Sequence, residues 1–185
     1  MGKTQYYTAT TIDGFIADEN NSLDWLFQVD REVGDENRFN QFFTGVGAMA
    51  MGATTYQWVL EHERLLDEPD RWRGYYGGTP AWVFTHRALP SVPGADIRFV
   101  QGDVAPVHAA MTDAAGERNI WLVGGGELVG RFADQGLLDQ VLLGVAPVTL
   151  GAGAPVLPRR LVGRLRLVGV EQDGQFANLT YNVAT

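Results

Sequence analysis

Residues Asn119 to Phe132 read NIWLVGGGELVGRF, an apolar run of strand length that stops on three consecutive glycines and then takes up the spacing of a helix. A strand-to-helix turn made of glycine brings bare backbone and the unpaired N–H groups of a helix N-terminus to one place, which suits a phosphate. Gly124, Gly126 and Gly130 come close to the spacing of the dinucleotide-binding fingerprint. Their position in the chain argues against its usual form. That fingerprint follows the first strand, and an acidic residue about 20 positions on holds a ribose. Here the turn comes late, and the corresponding positions carry Val145 and Ala146. The physics of the turn survives the loss of the motif, although a sharp turn with no ligand has the same sequence.

On the amino-terminal side of this turn, strand and helix patterns alternate. TQYYTATTI, Thr4 to Ile12, mixes β-branched and aromatic residues as a strand does, and Asp13-Gly14 turns the chain. The polar stretch that follows carries Trp25 and Leu26 and reads as a mobile loop anchored by an aromatic. DENRFNQFFTG, Asp35 to Gly45, has acids in its first turn and Phe39, Phe42 and Phe43 on one face, so a helix is expected. VGAMAMG predicts a strand and ATTYQWVLEH a helix. Glu61 to Gly78 is charged and aromatic, and an irregular segment is expected there. Two further strands, around TPAWVFTHR and ADIRFVQG, lead to the helix VAPVHAAMTDAAG and back to the glycine turn. Beyond it come a helix to about Gln135, a long strand from Leu138 that breaks into a Gly/Pro loop, and two alternating strands around Asp173-Gly174. The order predicts an α/β fold: one domain over residues 1–185, a mostly parallel twisted sheet with helices on both faces, and an antiparallel hairpin at its edge.

Composition narrows the chemistry. The chain has 185 residues, 45% of them hydrophobic, and a net charge of −8, so it offers no general basic footprint for nucleic acid or an anionic membrane. It has no cysteine, which excludes disulfides, thiolate metal sites and thiol nucleophiles. Lys3 is the only lysine, and Ser22 and Ser91 are the only serines, so a Walker A loop, an interior Schiff-base lysine and a nucleophile elbow are all absent. His62, His86 and His108 stand too far apart for a helical metal motif, and no metal is expected. The N-terminus lacks the basic and apolar pattern of a signal peptide, and no apolar run approaches the roughly 20 residues of a membrane span. A cytoplasmic protein acting on small molecules is the expectation, with redox chemistry through a diffusible cofactor still open.

Two further strand ends resemble the glycine turn in chemistry. MGATTY, Met51 to Tyr56, and VFTHR, Val83 to Arg87, both pass from an apolar run to small, hydroxylic or cationic residues. Three such ends on neighbouring parallel strands would line one crevice, which is where open α/β sheets bind ligands. These segments, with TTIDGFIA and LLDQVLLGVAPVTLGAGAPVL, occur in an order and spacing similar to the dihydrofolate reductase-like superfamily. The resemblance is greatest to its riboflavin-biosynthesis (RibD C-terminal) reductase branch, and it runs from about Tyr6 to Tyr181.

The resemblance implies a central sheet of about eight strands and an NAD(P)H-dependent reductase of pterin-, pyrimidine- or related heterocycles. Within it, Ala9, Ile16 and Ala17 fall against the nicotinamide, and Gly52, Thr54 and Thr55 at the pyrophosphate and ribose. Thr85, His86 and Arg87 fall near the adenosine phosphate, and Gly124, Gly125, Gly126, Glu127 and Leu128 on the remaining pyrophosphate edge. Members of the family commonly carry a basic residue where this chain has Ala53, so NADPH is favoured over NADH only through His86 and Arg87. The family's acid at the start of the first helix, a few residues after a loop tryptophan, corresponds to Asp30 after Trp25. Asp24, Glu32, Asp35 and Glu36 crowd the same region, and a water could serve instead. Trp25, Phe39 and Phe43 are candidates for an aromatic wall against the substrate, with core packing the competing account. A homodimer through the C-terminal strands is a further implication. A non-catalytic protein that keeps the fold and binds a nucleotide is the alternative.

Overall fold

The computed structural model describes residues 2–29 and 35–184, with the side chains of residues 35–37 left aside. The strands are β1 (Thr4–Thr11), β2 (Phe15–Ala17), β3 (Val46–Gly52), β4 (Ala81–Phe84), β5 (Ile97–Val100), β6 (Asn119–Gly124), β7 (Gln140–Ala146), β8 (Ala154–Pro155), β9 (Leu165–Asp173) and β10 (Phe176–Val183). The helices are α1 (Asp24–Phe27), α2 (Asp35–Thr44), α3 (Ala53–His62), α4 (Asp70–Tyr76), α5 (Val104–Ala115) and α6 (Gly126–Asp134). Eight strands form one sheet in the order β5-β4-β3-β6-β1-β7-β10-β9. From β5 to β7 all neighbours are parallel, while β10 runs antiparallel to both β7 and β9. The expected parallel sheet with a C-terminal antiparallel hairpin is therefore the observed fold.

The period of two in the strands sorts the core. Ala48, Ala50, Trp82 and Leu122 face the side covered by α5 and α6, where Met111, Val129 and Phe132 are buried. Met49, Met51, Val83 and Trp121 face the other side, under Tyr56, Leu60 and Trp72 of α3 and α4, with Phe39, Phe42 and Phe43 of α2 packed alongside. A strand such as β3, almost wholly buried, reads as a continuous apolar run because parallel strands are covered on both faces.

Three features depart from the sequence reading. The segment expected to be irregular between Glu61 and Gly78 contains α4, which starts after Pro69 and buries Trp72. Trp72 lies 4.7 Å, ring centre to ring centre, from Tyr76 one turn on and 6.3 Å from Tyr56. That i, i+4 aromatic pair is the helical signal, and the surrounding charges conceal it. The second departure is β8, inside the Gly/Pro loop, which pairs antiparallel with β2. This pairing draws residues 154–158 across the crevice end of the sheet, where the Val156 N–H donates to the Gly14 carbonyl at 2.9 Å and the Val156 carbonyl accepts from the Tyr6 hydroxyl at 2.8 Å. The expected mobile loop after Ala17 includes the short helix α1, which buries Trp25.

Candidate functional site

β3 and β6 are sheet neighbours, with Met51 opposite Gly124, and each runs straight into a helix. The N-termini of α3 and α6 are thereby set side by side. Neither helix has a side-chain cap, since their N-cap residues are Gly52 and Gly125, so N–H groups of both first turns are left for solvent or a ligand. The opening between them is a crevice of about 500 Å³ lined by Ile16, Ala17, Thr54, Thr55, Gly124, Gly125, Gly126 and Glu127. Pro155 and Pro158, from the segment held by β8, close its far wall, and Trp58 stands on the α3 side.

The crevice adjoins two smaller cavities. One, of about 210 Å³, is lined by Gly52, Thr85, His86 and Leu128 and shares Glu127 with the crevice. The other, of about 300 Å³, shares Thr8 and Val123 with the crevice and is walled by Tyr7, Phe39, Trp121 and Phe176. Its floor follows one row of the sheet, in which Ala9, Gly144 and Asn178 stand opposite one another on β1, β7 and β10. The Nδ2 atom of Asn178 is buried without a hydrogen-bond partner among the described residues. Arg38 of α2 reaches across to Glu171 of β9 at 2.6 Å.

Most sequence candidates thus fall on one continuous groove. Ala9 lies in the aromatic cavity, the glycines and threonines in the crevice, and Gly52, Thr85, His86 and Leu128 in the third. Arg87 stands apart, its guanidinium donating to the Gln57 amide oxygen at 2.7 Å on an exposed surface. Among the substrate candidates, Phe39 lines the aromatic cavity, and Phe43 stacks behind it at 5.7 Å. Trp25 is buried against Ala146 and Phe176 and lines a different cavity, with Val29 and Pro147. Asp30 and Glu32 lie outside the described residues, as do the side chains of Asp35 and Glu36. Asp13 is a structural residue: its carboxylate accepts from the Thr11 hydroxyl at 2.5 Å and the Gly151 N–H at 2.7 Å, and these bonds hold its pKa below the usual range.

Arg131 is a groove residue that the sequence alone did not single out. It lines the third cavity, lies 5.7 Å from the Phe84 ring centre and donates to the Gly102 carbonyl. Among the described residues, Glu127 is the only carboxylate lining the three cavities. Arg159 grips it in a fork, at 2.7 and 3.0 Å, and this hydrogen bonding holds the Glu127 pKa below its ordinary value.

A family model described as the RibD C-terminal domain matches residues 66–178. The protein YwjB of Bacillus subtilis (strain 168), itself uncharacterized, is 32% identical over 181 residues, which cover 97% of each chain. A putative riboflavin biosynthesis protein from Shewanella sp. PV-4 has the same fold, with a TM-score of 0.79, 22% identity and 99% of both chains covered. The dihydrofolate reductase of Enterococcus faecalis, in a complex with NADP(H), superimposes with a TM-score of 0.61 at 13% identity over 99% of this chain and 97% of that one. With a family model over more than half its length and a relative this similar over nearly all of it, the chain belongs to the RibD C-terminal domain family, whose fold is that of dihydrofolate reductase.

Proposed function

We propose that the chain is a reductase that uses a reduced nicotinamide dinucleotide, preferentially NADPH, to reduce a small planar heterocycle. The observation that carries this reading is the pair of uncapped helix N-termini on adjacent strands, opening into a crevice that continues into an aromatic cavity. The residues fit the group. Backbone N–H groups of α3 and α6, with the Thr54 and Thr55 hydroxyls, suit a pyrophosphate. Thr85, His86 and Arg131 line the cavity fitted to the adenosine end, and Ile16, Ala17 and Ala9 lead towards the aromatic cavity. When bound, the cofactor supplies hydride.

The chain's own part is binding, orientation and proton supply. Tyr7, Phe39, Trp121 and Phe176 offer flat apolar surface to a ring, and Asn178 offers it a buried amide donor. The proton for the receiving atom comes from Asp30 or from a water. The preference for NADPH rests on His86 and Arg131, which line that cavity, since Ala53 adds no charge and Arg87 is turned to Gln57 away from it. Through its exposed edge strand β9, where Leu167 and Val168 are each half exposed, the chain pairs with a second copy. Light scattering that finds only monomer at micromolar concentration refutes that assembly.

The test is titration with NADPH and NADH by quenching of tryptophan fluorescence, since Trp58 lines the crevice, followed by assays of cofactor oxidation with pterins, pyrimidines and quinoid acceptors. NADPH binding with oxidation by one of these classes is expected, and failure to bind either dinucleotide sinks the proposal. A non-catalytic dinucleotide-binding protein is the second reading. Tight NADPH binding without turnover on any acceptor selects it.

A further inference from the structure

The glycine turn places an acid where an anion is expected. Glu127 is in the first turn of α6 and lines both the main crevice and the cavity at its adenosine end. A free carboxylate at that point opposes a pyrophosphate, because like charges a few ångströms apart repel even where water partly screens them. The structure cancels that charge from outside the crevice. Nη2 and Nη1 of Arg159 donate to the two Glu127 oxygens at 2.7 and 3.0 Å, and Nε donates to Asp134 at 2.8 Å. Nη1 also donates to the Pro158 carbonyl at 2.9 Å, so the guanidinium is fixed from its own segment as well.

The seat for this guanidinium is built into the helix. A Cβ on Gly130 would lie 2.7 Å from Cζ, 2.8 Å from Nε and 2.9 Å from Cγ of Arg159, so only a glycine lets the side chain lie flat on α6. Arg159 is also the less exposed partner, with 21% of its side chain accessible against 71% for Glu127. An ordinary surface ion pair needs no such cradle. Arg131, one turn after Glu127, adds a second cation, so the group of Glu127, Asp134, Arg131 and Arg159 is neutral as a whole.

We infer that Arg159 is a positioning residue of the dinucleotide site: it neutralises Glu127 and so keeps the N-terminus of α6 receptive to the cofactor's pyrophosphate. Arg159 does not line the crevice, and it acts through Glu127. The inference rests on the dinucleotide reading above and assigns that site a counter-ion outside its walls.

The experiment is a charge cycle read by NADPH affinity, with the thermal midpoint of each unliganded variant as a control for folding. Arg159→Met keeps the stem over Gly130 and removes the charge, and should weaken NADPH about fivefold to tenfold. Glu127→Gln should bind as tightly as the parent or up to about threefold more tightly, and the double variant should return to within about twofold of the parent. Arg159→Lys, which keeps the charge and loses the fork, should also stay within about twofold. The deficit of Arg159→Met should shrink in high salt. A merely structural clamp predicts the opposite pattern: Glu127→Gln and Arg159→Lys weaken binding as Arg159→Met does, and the double variant is not rescued. That pattern, or an unchanged affinity in Arg159→Met, overturns the counter-ion role and leaves the dinucleotide reading standing. A parent protein that binds no dinucleotide overturns both.

Discussion

The two strand-to-helix turns that form the crevice are alike in outline and differ in what their glycines are for. At β3–α3, a Cβ added to Gly52 meets no atom within 4 Å, so the space beside it opens on the groove. At β6–α6, a Cβ on Gly126 would lie 2.4 Å from the Pro155 carbonyl oxygen and 2.6 Å from that of Val156. Gly125 has φ +86°, which other residues adopt at a cost, and a Cβ on Gly124 would press on the Thr55 hydroxyl at 3.3 Å. Each glycine of the triple thus has a reason inside the protein. The lesson is that bare backbone beside a crevice is no measure of ligand contact until the chain's own close approaches have been subtracted.

Substitutions at these glycines test that difference. Gly126→Ala should have the largest effect, because backbone carbonyls of a paired strand cannot step aside as a flexible side chain can. A loss of about 3 kcal/mol or more, roughly 6 to 12 °C in thermal midpoint, is expected. Gly125→Ala should fall between, at about 1–2 kcal/mol for the left-handed backbone. Gly52→Ala should cost less than about 1 kcal/mol, yet, on the proposed dinucleotide reading, weaken NADPH severalfold by filling space at the edge of the groove. Chemical denaturation of the three variants gives the order directly. Equal losses at Gly52 and Gly126 would break the comparison.

A charge test sharpens the other turn. β3–α3 carries no charged side chain from Gly52 to Thr55, whereas β6–α6 carries Glu127 with its counter-ion. Ala53→Arg puts a cation at that turn. It should raise the NADPH-to-NADH affinity ratio about tenfold while moving stability by less than about 0.5 kcal/mol. An unchanged ratio would mean that the 2′-phosphate does not come near this turn.

Much of this was legible because local pattern and global fold agree. The strand and helix order, the terminal hairpin and the three strand ends follow from periodicities of two and 3.6 and from turn residues, all of which are short-range signals. What stayed hidden depends on register and on long-range approach. Asn178 joins Ala9 only because β10 and β1 flank β7 in register. Residues Pro155 and Pro158 reach the crevice through the β2–β8 pairing, whose two strands are too short to announce themselves. Arg159 meets Glu127 across 32 positions, and Gly130 looked like part of a motif when it is the seat of a side chain.

Acid titration gives the smallest of the expected differences between the turns. The Glu127 pKa is held below its ordinary 4.5, first by the hydrogen bond from Arg159 and then by the charges of Arg159 and Arg131. A carboxylate whose folded pKa is depressed contributes stability above the unfolded value and loses it as pH falls through the folded value. The Glu127 contribution should therefore be complete above about pH 4.5 and decline below it, while β3–α3, with nothing to titrate between Gly52 and Thr55, stays indifferent. Other carboxylates held low, among them Asp13, Asp96 and Asp103, titrate in parent and variant alike. The difference between parent and Glu127→Gln isolates the one group. That difference in thermal midpoint, roughly 2 °C at most because the pair is exposed, should narrow as pH falls below 4.5. If it stays constant from neutral pH into acid, the Glu127–Arg159 pair contributes nothing to the fold, and its close geometry serves the crevice alone.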